Sequence, residues 1–492
     1  MRRLLLALLV AVLALPLAAC GGGKKTSAGV AEGGPGGAAI VPKTAPLLLR
    51  LNTAWDSPQW TSLNALLAKF PNGDKPLSGI GGKNVDFEQD VKPALGPETD
   101  VFALNGADLN NNVFLGSNQP TDETKFHALL AKSKTPPVTE EIEGWQVISD
   151  KRATIDRYKV AKRGGSLADS ENYKAAIASL PAAALATLYV DGPTLRRALA
   201  AQAKSSSSSG SSSLPNLGAG SGPVPGVGRI SWLAGALSAE EKGFAADVRL
   251  KGDELEVTPF TPELASQVPA DVSLFIDVKG LDATLDEAKR SPAVQKQLGE
   301  AQKSLGALID EVIGLFKGET AITVRPVGGT NEFTLLLTVD DTEKAKGTLD
   351  KLATLLGAFT QTTPEPVNVA GQDFQKLSLG KSAVYYGVFN GKLVVTNAEG
   401  AITSLVNGPY LADSQAYKDA AEAAGLPDQT TGVFYADVPK LVPLLDTLAK
   451  SGKSGKPLPP EVKANLEALS TAIFYGSVDG DVLSVKGFAS VR

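Results

Sequence analysis

One pattern of residues occurs twice in this chain, and it constrains the fold more than any other feature. Its first copy comprises Leu167–Lys174 (LADSENYK), Leu180-Pro181 and Tyr189–Pro193 (YVDGP). Its second copy comprises Leu411–Lys418 (LADSQAYK), Leu426-Pro427 and Tyr435–Pro439 (YADVP). The offset is 411 − 167 = 244 at the front and 435 − 189 = 246 at the back. Matched anchors in one order predict an internal duplication.

The duplication divides the chain into two similar tandem units, residues 41–257 and 258–492. Apolar strand patterns alternate with helical ones in both units, which favours the α+β class. Asn390-Gly391 and Asp479-Gly480 fit two-residue type I′ turns between strands. We therefore predict in each unit a largely antiparallel sheet with helices packed on one side. We also predict a further strand at Ile155–Val160.

The first twenty residues have the organisation of an export signal. Arg2-Arg3 supply the positive region, and Leu4–Leu15 form an apolar run too short to span a bilayer as a mature helix. Leu17–Cys20 (LAAC) then resembles a bacterial lipoprotein lipobox, in which Cys20 would carry the lipid after cleavage. A plain secretory signal with a chance cysteine is the alternative. Cys20 is the only cysteine, so once it is acylated no thiol remains for disulfide or redox chemistry.

Two stretches are predicted to lack regular structure. Residues 21–40 are rich in Gly and Ala without an apolar period, and we interpret them as a flexible tether. Residues 204–228 are a Ser/Gly/Pro-rich, low-complexity run that predicts a disordered loop inserted in the first unit. The Asp-x-Pro triplets at Asp56, Asp191 and Asp437 predict helix caps, because the aspartate accepts from the first-turn amides and proline fits that turn.

The residue types that carry chemistry are scarce. The formal net charge of −5 argues against nucleic acid, whose phosphates require clustered Lys and Arg. His127 is the only histidine and is predicted on a solvated helix face, without ligands or catalytic partners. Gly79–Lys83 lacks the spacing of a phosphate-binding loop, and adjacent acids such as Glu140-Glu141 point to opposite faces of a strand. We predict no catalytic, cofactor-binding or metal-binding residues and no enzyme.

Further stretches resemble the bacterial lipoprotein family known as DUF3352, domain of unknown function 3352. The resemblance is carried by Trp55–Trp60 (WDSPQW), Val85–Gly96 (VDFEQDVKPALG) and the two repeated segments. Similar proteins often have Trp where Ala94 stands here. The resemblance implies no activity, because the family has none assigned, and so no functional residue is carried over from it.

These observations predict a lipoprotein held outside the cytoplasmic membrane by acylated Cys20, palmitate being a typical acyl chain. The leading hypothesis is a non-enzymatic scaffold or binding module of the cell envelope, with an envelope protein of unknown identity as partner. The alternative is a solute- or lipid-binding protein that captures its ligand between the two units. A solute would require converging polar and aromatic residues, whereas a lipid would require an apolar groove.

Overall fold

The structure is a computed structural model that describes residues 36–71, 73, 84–194, 197, 229–253, 255–290, 301–380, 382–451 and 455–492. The signal segment 1–20 with Cys20, residues 21–35 of the tether and the loop 204–228 lie outside the described residues. Helices and strands alternate along the described chain, so the mixed class predicted from the sequence is confirmed. Among these residues, no helix combines the length and apolar character needed to cross a membrane.

The described residues form one 18-stranded sheet. Its strands are β1 Leu47–Asn52, β2 Glu98–Ala103, β3 Leu115–Asn118, β4 Val138–Ile142, β5 Trp145–Ser149, β6 Ala186–Asp191, β7 Trp232–Glu240, β8 Gly243–Lys251, β9 Leu274–Lys279, β10 Glu319–Val327, β11 Thr330–Thr338, β12 Glu365–Val369, β13 Gln372–Leu379, β14 Ser382–Phe389, β15 Lys392–Thr396, β16 Gly432–Asp437, β17 Leu469–Asp479 and β18 Val482–Val491.

All pairings between these strands are antiparallel, as the sequence predicted. The order across the sheet is β4-β5-β3-β2-β1-β6-β7-β8-β18-β17-β16-β9-β10-β11-β15-β14-β13-β12. β8 and β18 form the seam between the two halves, pairing from Lys251 with Val482 to Gly243 with Ser490. The two halves therefore share one continuous sheet.

Twelve α-helices connect or cover the strands in the described part of the chain. They are α1 Pro58–Leu67, α2 Gly106–Asn110, α3 Glu123–Ala131, α4 Arg152–Lys162, α5 Glu171–Ala178, α6 Leu281–Arg290, α7 Ala301–Gly314, α8 Thr342–Thr360, α9 Glu399–Asn407, α10 Gln415–Ala424, α11 Val438–Ser451 and α12 Pro460–Glu467. Asp122 and Asp341 cap α3 and α8, each accepting a hydrogen bond from the backbone N–H three residues on.

Helices pack on both faces of the sheet, so the prediction of helices on one side is wrong. On β11, Leu336 belongs to the core cluster that contains Ile402 of α9. Its neighbour Leu337 points to the opposite face, where it packs with Leu349 and Ala353 of α8. The run of apolar residues in β11 supplies buried side chains to both faces of the sheet, which is typical of a strand with helices packed on each face.

The strand predicted at Ile155–Val160 is instead part of helix α4. Ile155 and Tyr158 are completely buried, and their spacing of three residues places them on the same helical face. The Tyr158 hydroxyl donates a hydrogen bond of 2.7 Å to the Ile40 carbonyl. β-branched residues in this run suggested a strand, but the packing of one helical face against the core decided the conformation.

The folded body also begins earlier than the tether prediction allowed. Gly36–Ala39 form a 3-10 turn, and Ala38 and Ile40 are 0% and 1% exposed. Composition alone indicated flexibility here, because glycine and alanine show no apolar period. In the structure these small residues are needed where the backbone lies against two carboxylates of β2, the buried Asp100 and the partly buried Glu98.

Candidate functional site

The two repeated segments occupy matching positions in the two halves. Leu167 is 1% exposed and its backbone N–H donates to the Val41 carbonyl at 2.8 Å. Leu411 is 0% exposed and its N–H donates to the Val268 carbonyl at 2.9 Å. Each segment thus fastens the stretch that leads into the first strand of its half, β1 or β9.

The serine of each repeat begins a helix. The Ser170 hydroxyl accepts from the Tyr173 backbone N–H at 3.5 Å at the start of α5. The Ser414 hydroxyl accepts from the Tyr417 backbone N–H at 3.3 Å at the start of α10. A hydroxyl in this position satisfies a first-turn amide that has no partner within the helix.

The tyrosine of each repeat packs edge-to-face on a second tyrosine of the sheet. The Tyr173 and Tyr189 ring centroids lie 5.3 Å apart with planes at 82°, and those of Tyr417 and Tyr435 lie 5.2 Å apart at 71°. Such pairs stabilise a core beyond the area they bury. The repeated serines and tyrosines are therefore explained by capping and packing. Each of these tyrosines also lies near an ionisable residue on the first strand of its half, Tyr173 near Arg50 of β1 and Tyr417 near Asp277 of β9.

The capping prediction holds for two of the three Asp-x-Pro triplets. The Asp191 carboxylate accepts from the Thr194 N–H at 3.0 Å, and the Asp437 carboxylate accepts from the Lys440 N–H at 3.5 Å. Asp56 does not cap α1, because the residue at the cap is Ser57 and its side chain makes no capping bond.

In the first half, a buried ion cluster lies beneath Tyr173. Asp100 on β2 is 0% exposed, and its carboxylate accepts from the Arg50 Nε of β1 at 3.1 Å. Arg50 Nη2 lies 2.9 Å from Glu98 Oε1, which also accepts from the Gly37 backbone N–H at 2.6 Å. The Arg50 guanidinium thus contacts both Asp100 and Glu98, and Glu98 also fixes the backbone of Gly37, at the start of the described chain.

Burial is the main influence on ionisation in this cluster. It raises the pKa of Asp100 to about 7; the charge of Arg50 opposes that rise and Glu98 adds to it. Burial likewise raises the pKa of Tyr173 to about 12, with Arg50 opposing. Asp100 can therefore change its protonation state near neutral pH, whereas the guanidinium remains charged.

Replacing Gly37 with alanine should disrupt this cluster. A Cβ at Gly37 would lie 1.8 Å from Asp100 Oδ2 and 2.9 Å from Glu98 Oε1. We expect the free energy of unfolding to fall by about 2 kcal/mol in chemical denaturation, the usual cost of overpacking a filled site. Gly347→Ala is the matched control, because nothing lies within 4 Å of its added Cβ. An equal change in both variants would contradict the assigned contact.

The second half carries a related cluster with an acidic residue, Asp277, in place of the arginine at its centre. Asp277 is the fourth residue of β9, as Arg50 is of β1, and it pairs in register with Ala321 and Val433. Asp277 is 0% exposed, and neither of its carboxylate oxygens has a hydrogen-bond donor. Glu319 on β10 is 7% exposed, so two carboxyl groups lie here without the guanidinium found in the first half.

Glu319 holds backbone just as Glu98 does. Its Oε1 accepts from the backbone N–H groups of Glu263 and Leu264 at 2.7 and 3.0 Å. Burial, followed by the charge and side chain of Glu319, raises the pKa of Asp277 to about 9. Burial and then Asp277 raise the pKa of Tyr417 above its usual range. Asp277 is therefore a neutral acid at pH 7.

These clusters can bind and release protons, and their geometry points to no metal centre. Within the described ranges, no three or more His, Cys, Asp or Glu side chains gather as a set that could hold a metal ion. Each cluster is covered by a short 3-10 turn and by a tyrosine of the repeat, so both positions are enclosed by the protein itself.

Comparison with known sequences assigns the chain to a family. The sequence pattern that defines the family described as "Protein of unknown function (DUF3352)" matches residues 146–472. The chain belongs to this family. The match includes both copies of the repeated segment and thus confirms the resemblance to DUF3352 found in the sequence. No curated protein matches the chain.

Solved structures show only weak likeness to this DUF3352 chain. "Structure of crystal form I of TP0453" has a TM-score of 0.26 at 9% identity, covering 45% of this chain and 80% of that one. "Structure of crystal form III of TP0453" has a TM-score of 0.25 at 10% identity, covering 47% of this chain and 94% of that one. Scores this low carry no conclusion about the DUF3352 fold or its function.

Of the candidate residues weighed from the sequence of this DUF3352 chain, His127 and Glu140 lie among the described residues, on α3 and β4. Cys20 and Gly79–Lys83 lie outside the described residues. His127 is exposed on α3, as predicted, with its ring 5.8 Å from Phe126. Glu140, on β4, pairs with Arg152 and with Lys159 of α4.

Sequence reasoning missed the ion clusters of both halves. A signal was present, because Arg50 interrupts the apolar run of β1 and Asp277 interrupts that of β9. A charged residue inside a strand that is otherwise apolar requires a partner when the strand is buried. The sequence did not show which residues would serve as partners, since Asp100 and Glu319 lie on other strands.

Proposed function

We propose that the protein is a lipoprotein of the bacterial cell envelope, anchored outside the cytoplasmic membrane through acylated Cys20. The main support for this proposal is the LAAC motif at Leu17–Cys20, which directly follows an apolar run and contains the only cysteine of the sequence. A mature lipoprotein with more than one acyl chain is held stably, because each buried methylene contributes about 0.8 kcal/mol.

The start of the folded body sets the reach of this anchor. Residues 21–35 separate Cys20 from Gly36, the first residue of the 3-10 turn, and fifteen residues (35 − 20) span at most about 50 Å when extended. The hydrogen bond from Gly37 to Glu98 fixes the body end of the tether. In this proposal the body stays within tens of ångströms of the membrane surface.

We further propose that the body consists of two units related by internal duplication, residues 41–257 and 258–492. The repeated segments support it, and so do the strand orders β5-β3-β2-β1-β6-β7-β8 and β15-β11-β10-β9-β16-β17-β18, which match strand for strand. Experimental coordinates in which the two sets of seven strands failed to superpose would contradict the duplication.

We propose a scaffold or binding role for this body rather than catalysis. Four of the polar residues that recur in the two halves are engaged in structure: Asp191 and Asp437 cap helices, and Ser170 and Ser414 do the same. Turnover of an ester, peptide or glycan by the purified protein, lost on mutation of one polar residue, would contradict this part of the proposal.

The alternative function, capture of a solute or lipid between two units, requires a cleft between them. β8 and β18 instead pair edge to edge over nine residue pairs, from Gly243 with Ser490 to Lys251 with Val482. This seam favours the scaffold role. A ligand that co-purifies with the protein in native mass spectrometry would favour the alternative.

Replacing Cys20 with serine is expected to abolish lipidation. In the native host, the wild-type protein should incorporate labelled palmitate and fractionate with membranes, because the thiol is the acceptor of the lipid. Cys20→Ser should show no label and lose its stable membrane attachment. The measurement is autoradiography of the immunoprecipitated protein, together with protease treatment of intact cells to test exposure outside the cytoplasm.

Ser27→Ala is the matched control, since it alters the predicted tether without touching the lipid acceptor. It should label like the wild type. Failure of the wild type to take up label, or label on Cys20→Ser, would overturn the anchor.

A further inference from the structure

We propose that Asp277 and Glu319 bind one proton between them, and that this proton latches residues 260–268, which lead into β9 of the second half, onto the sheet. The inference does not depend on the lipid anchor or on the scaffold role. It rests on the position of the two carboxyl groups, on the backbone that Glu319 holds, and on the contrast with Arg50 in the first half.

The buried position of Asp277 and Glu319 limits the negative charge that the two side chains can carry together. Asp277 pairs with Ala321 and Glu319 pairs with Lys279, so the two carboxyl groups are diagonal neighbours on one face of β9 and β10. Asp277 is 0% exposed with both oxygens lacking a donor, and Glu319 is 7% exposed. Two carboxylates brought together in a buried place cannot both remain ionised, because burial and mutual repulsion oppose the second charge. A proton on one carboxyl relieves both penalties, since that group then donates a hydrogen bond to the other.

Among the described residues, no lysine or arginine takes the place of the proton beside Asp277. β10 contributes Glu319, α10 contributes the Tyr417 hydroxyl, and β16 contributes apolar Val433 beside Asp277. Lys279 is the cross-strand partner of Glu319, but its side chain is exposed to solvent, whereas Glu319 is 7% exposed.

The first half shows what a permanent charge does at the same strand position. There the guanidinium of Arg50 contacts both Glu98 and Asp100, at 2.9 and 3.1 Å. Glu98 holds the Gly37 N–H as Glu319 holds those of residues 263 and 264. In both halves a glutamate accepts hydrogen bonds from backbone N–H groups. In the first half the guanidinium of Arg50 stabilises that glutamate, and in the second half the shared proton does so.

The shared proton is linked to the conformation of residues 260–268. Leu264 and Val268 are both 0% exposed, and Phe260 exchanges backbone hydrogen bonds of 2.8 and 2.9 Å with Thr430. Loss of the proton to solvent would leave two negative charges side by side. The less buried carboxylate, Glu319, then gains by turning toward water, which releases the amides of Glu263 and Leu264 and loosens the segment.

Hydrogen exchange followed by mass spectrometry on the whole mature protein tests the latch. With intrinsic rates corrected for pH, protection of peptides covering residues 260–268 should fall by up to tenfold per pH unit between pH 7.5 and about 9, then level off. Asp277→Asn should keep this protection constant within about twofold, because its amide donates to Glu319 at every pH.

Two controls separate the latch from general loosening. Asp428→Asn changes an exposed aspartate and should follow the wild type. Peptides containing Leu337 and Leu393, from a different core cluster, report global opening. If the 260–268 peptides show no pH dependence, or change equally with those core peptides, or behave alike in wild type and Asp277→Asn, the proposal is wrong. Glu319→Gln, which also removes one carboxylate, provides the same test should Asp277→Asn fail to fold.

Discussion

Replacing Arg50 with methionine is expected to lower the free energy of unfolding by about 3 kcal/mol at pH 8. The methionine side chain keeps much of the apolar stem but leaves Asp100, which is 0% exposed, without its cation. An uncompensated buried charge costs more than the ion pair itself contributes. At pH 5 the loss should be about 1 kcal/mol, because Asp100 is then protonated in the folded state.

Chemical denaturation at the two pH values measures this effect. Arg290→Met is the matched control, because that arginine is 67% exposed in its side chain and its pair with Asp286 should contribute less than about 0.5 kcal/mol. Adding Asp100→Asn to Arg50→Met should recover most of the loss at pH 8. A loss that is equal at pH 5 and pH 8, or that Asp100→Asn leaves unchanged, would show that packing rather than charge is responsible.

Replacing Asp277 with asparagine, at the same strand position in the other half, is expected to stabilise the protein. The gain should be larger at pH 8 than at pH 5 by up to about 4 kcal/mol, because each pH unit between the unfolded and folded pKa values contributes about 1.4 kcal/mol. Asparagine is neutral at both pH values, nearly isosteric with aspartate, and able to donate to Glu319. Arg50→Met removes a permanent cation and Asp277→Asn removes an ionisable carboxyl group at the matching strand position, so the two substitutions have opposite effects on stability.

The sign follows from the direction of the pKa shift. Burial and Glu319 raise the pKa of Asp277 to about 9 in the folded state, from 3.8. Between these values the folded protein binds more protons than the unfolded chain, so stability declines as pH rises from about 4 to about 9. Below this range the contribution of Asp277 is fully present, and above it the contribution is lost. Asp277→Asn removes this part of the pH dependence.

Urea titrations from pH 5 to pH 9 test the prediction, with Asp428→Asn as the exposed control. The wild type and the control should show the same downward slope, and Asp277→Asn a shallower one. Parallel slopes for all three variants would mean that Asp277 does not titrate in this interval. A destabilised Asp277→Asn at pH 8 would mean that the buried carboxyl group is held by contacts the amide cannot replace.

The features that could be predicted from the sequence depend on neighbouring residues. Asp191 and Asp437 begin helices because a carboxylate there satisfies first-turn amides, and Asn390-Gly391 turns a hairpin with positive φ at both residues. The two-residue turns at Asn390-Gly391 and Asp479-Gly480 likewise indicated antiparallel pairing. Each of these signals acts within a few residues, so no tertiary information was needed to interpret it.

The wrong predictions share one cause, which is that burial overrode local composition. Gly37 and Ala38 looked like part of a flexible tether but are enclosed beside Glu98 and Asp100. Ile155–Val160 looked like a strand but forms a helix, because Ile155 and Tyr158 together reach the core. Helices occupy both faces of the sheet because β11 has buried leucines on each.

The sequence by itself determined the repeated segments, the antiparallel strands, the caps and the family to which the chain belongs. Only the tertiary structure decided that both halves share one sheet through β8 and β18, and which charges meet inside it. Arg50 and Asp100 are separated by fifty residues (100 − 50), and Asp277 and Glu319 by forty-two (319 − 277). Electrostatic energy depends on distance and burial in space, which spacing along the chain does not specify.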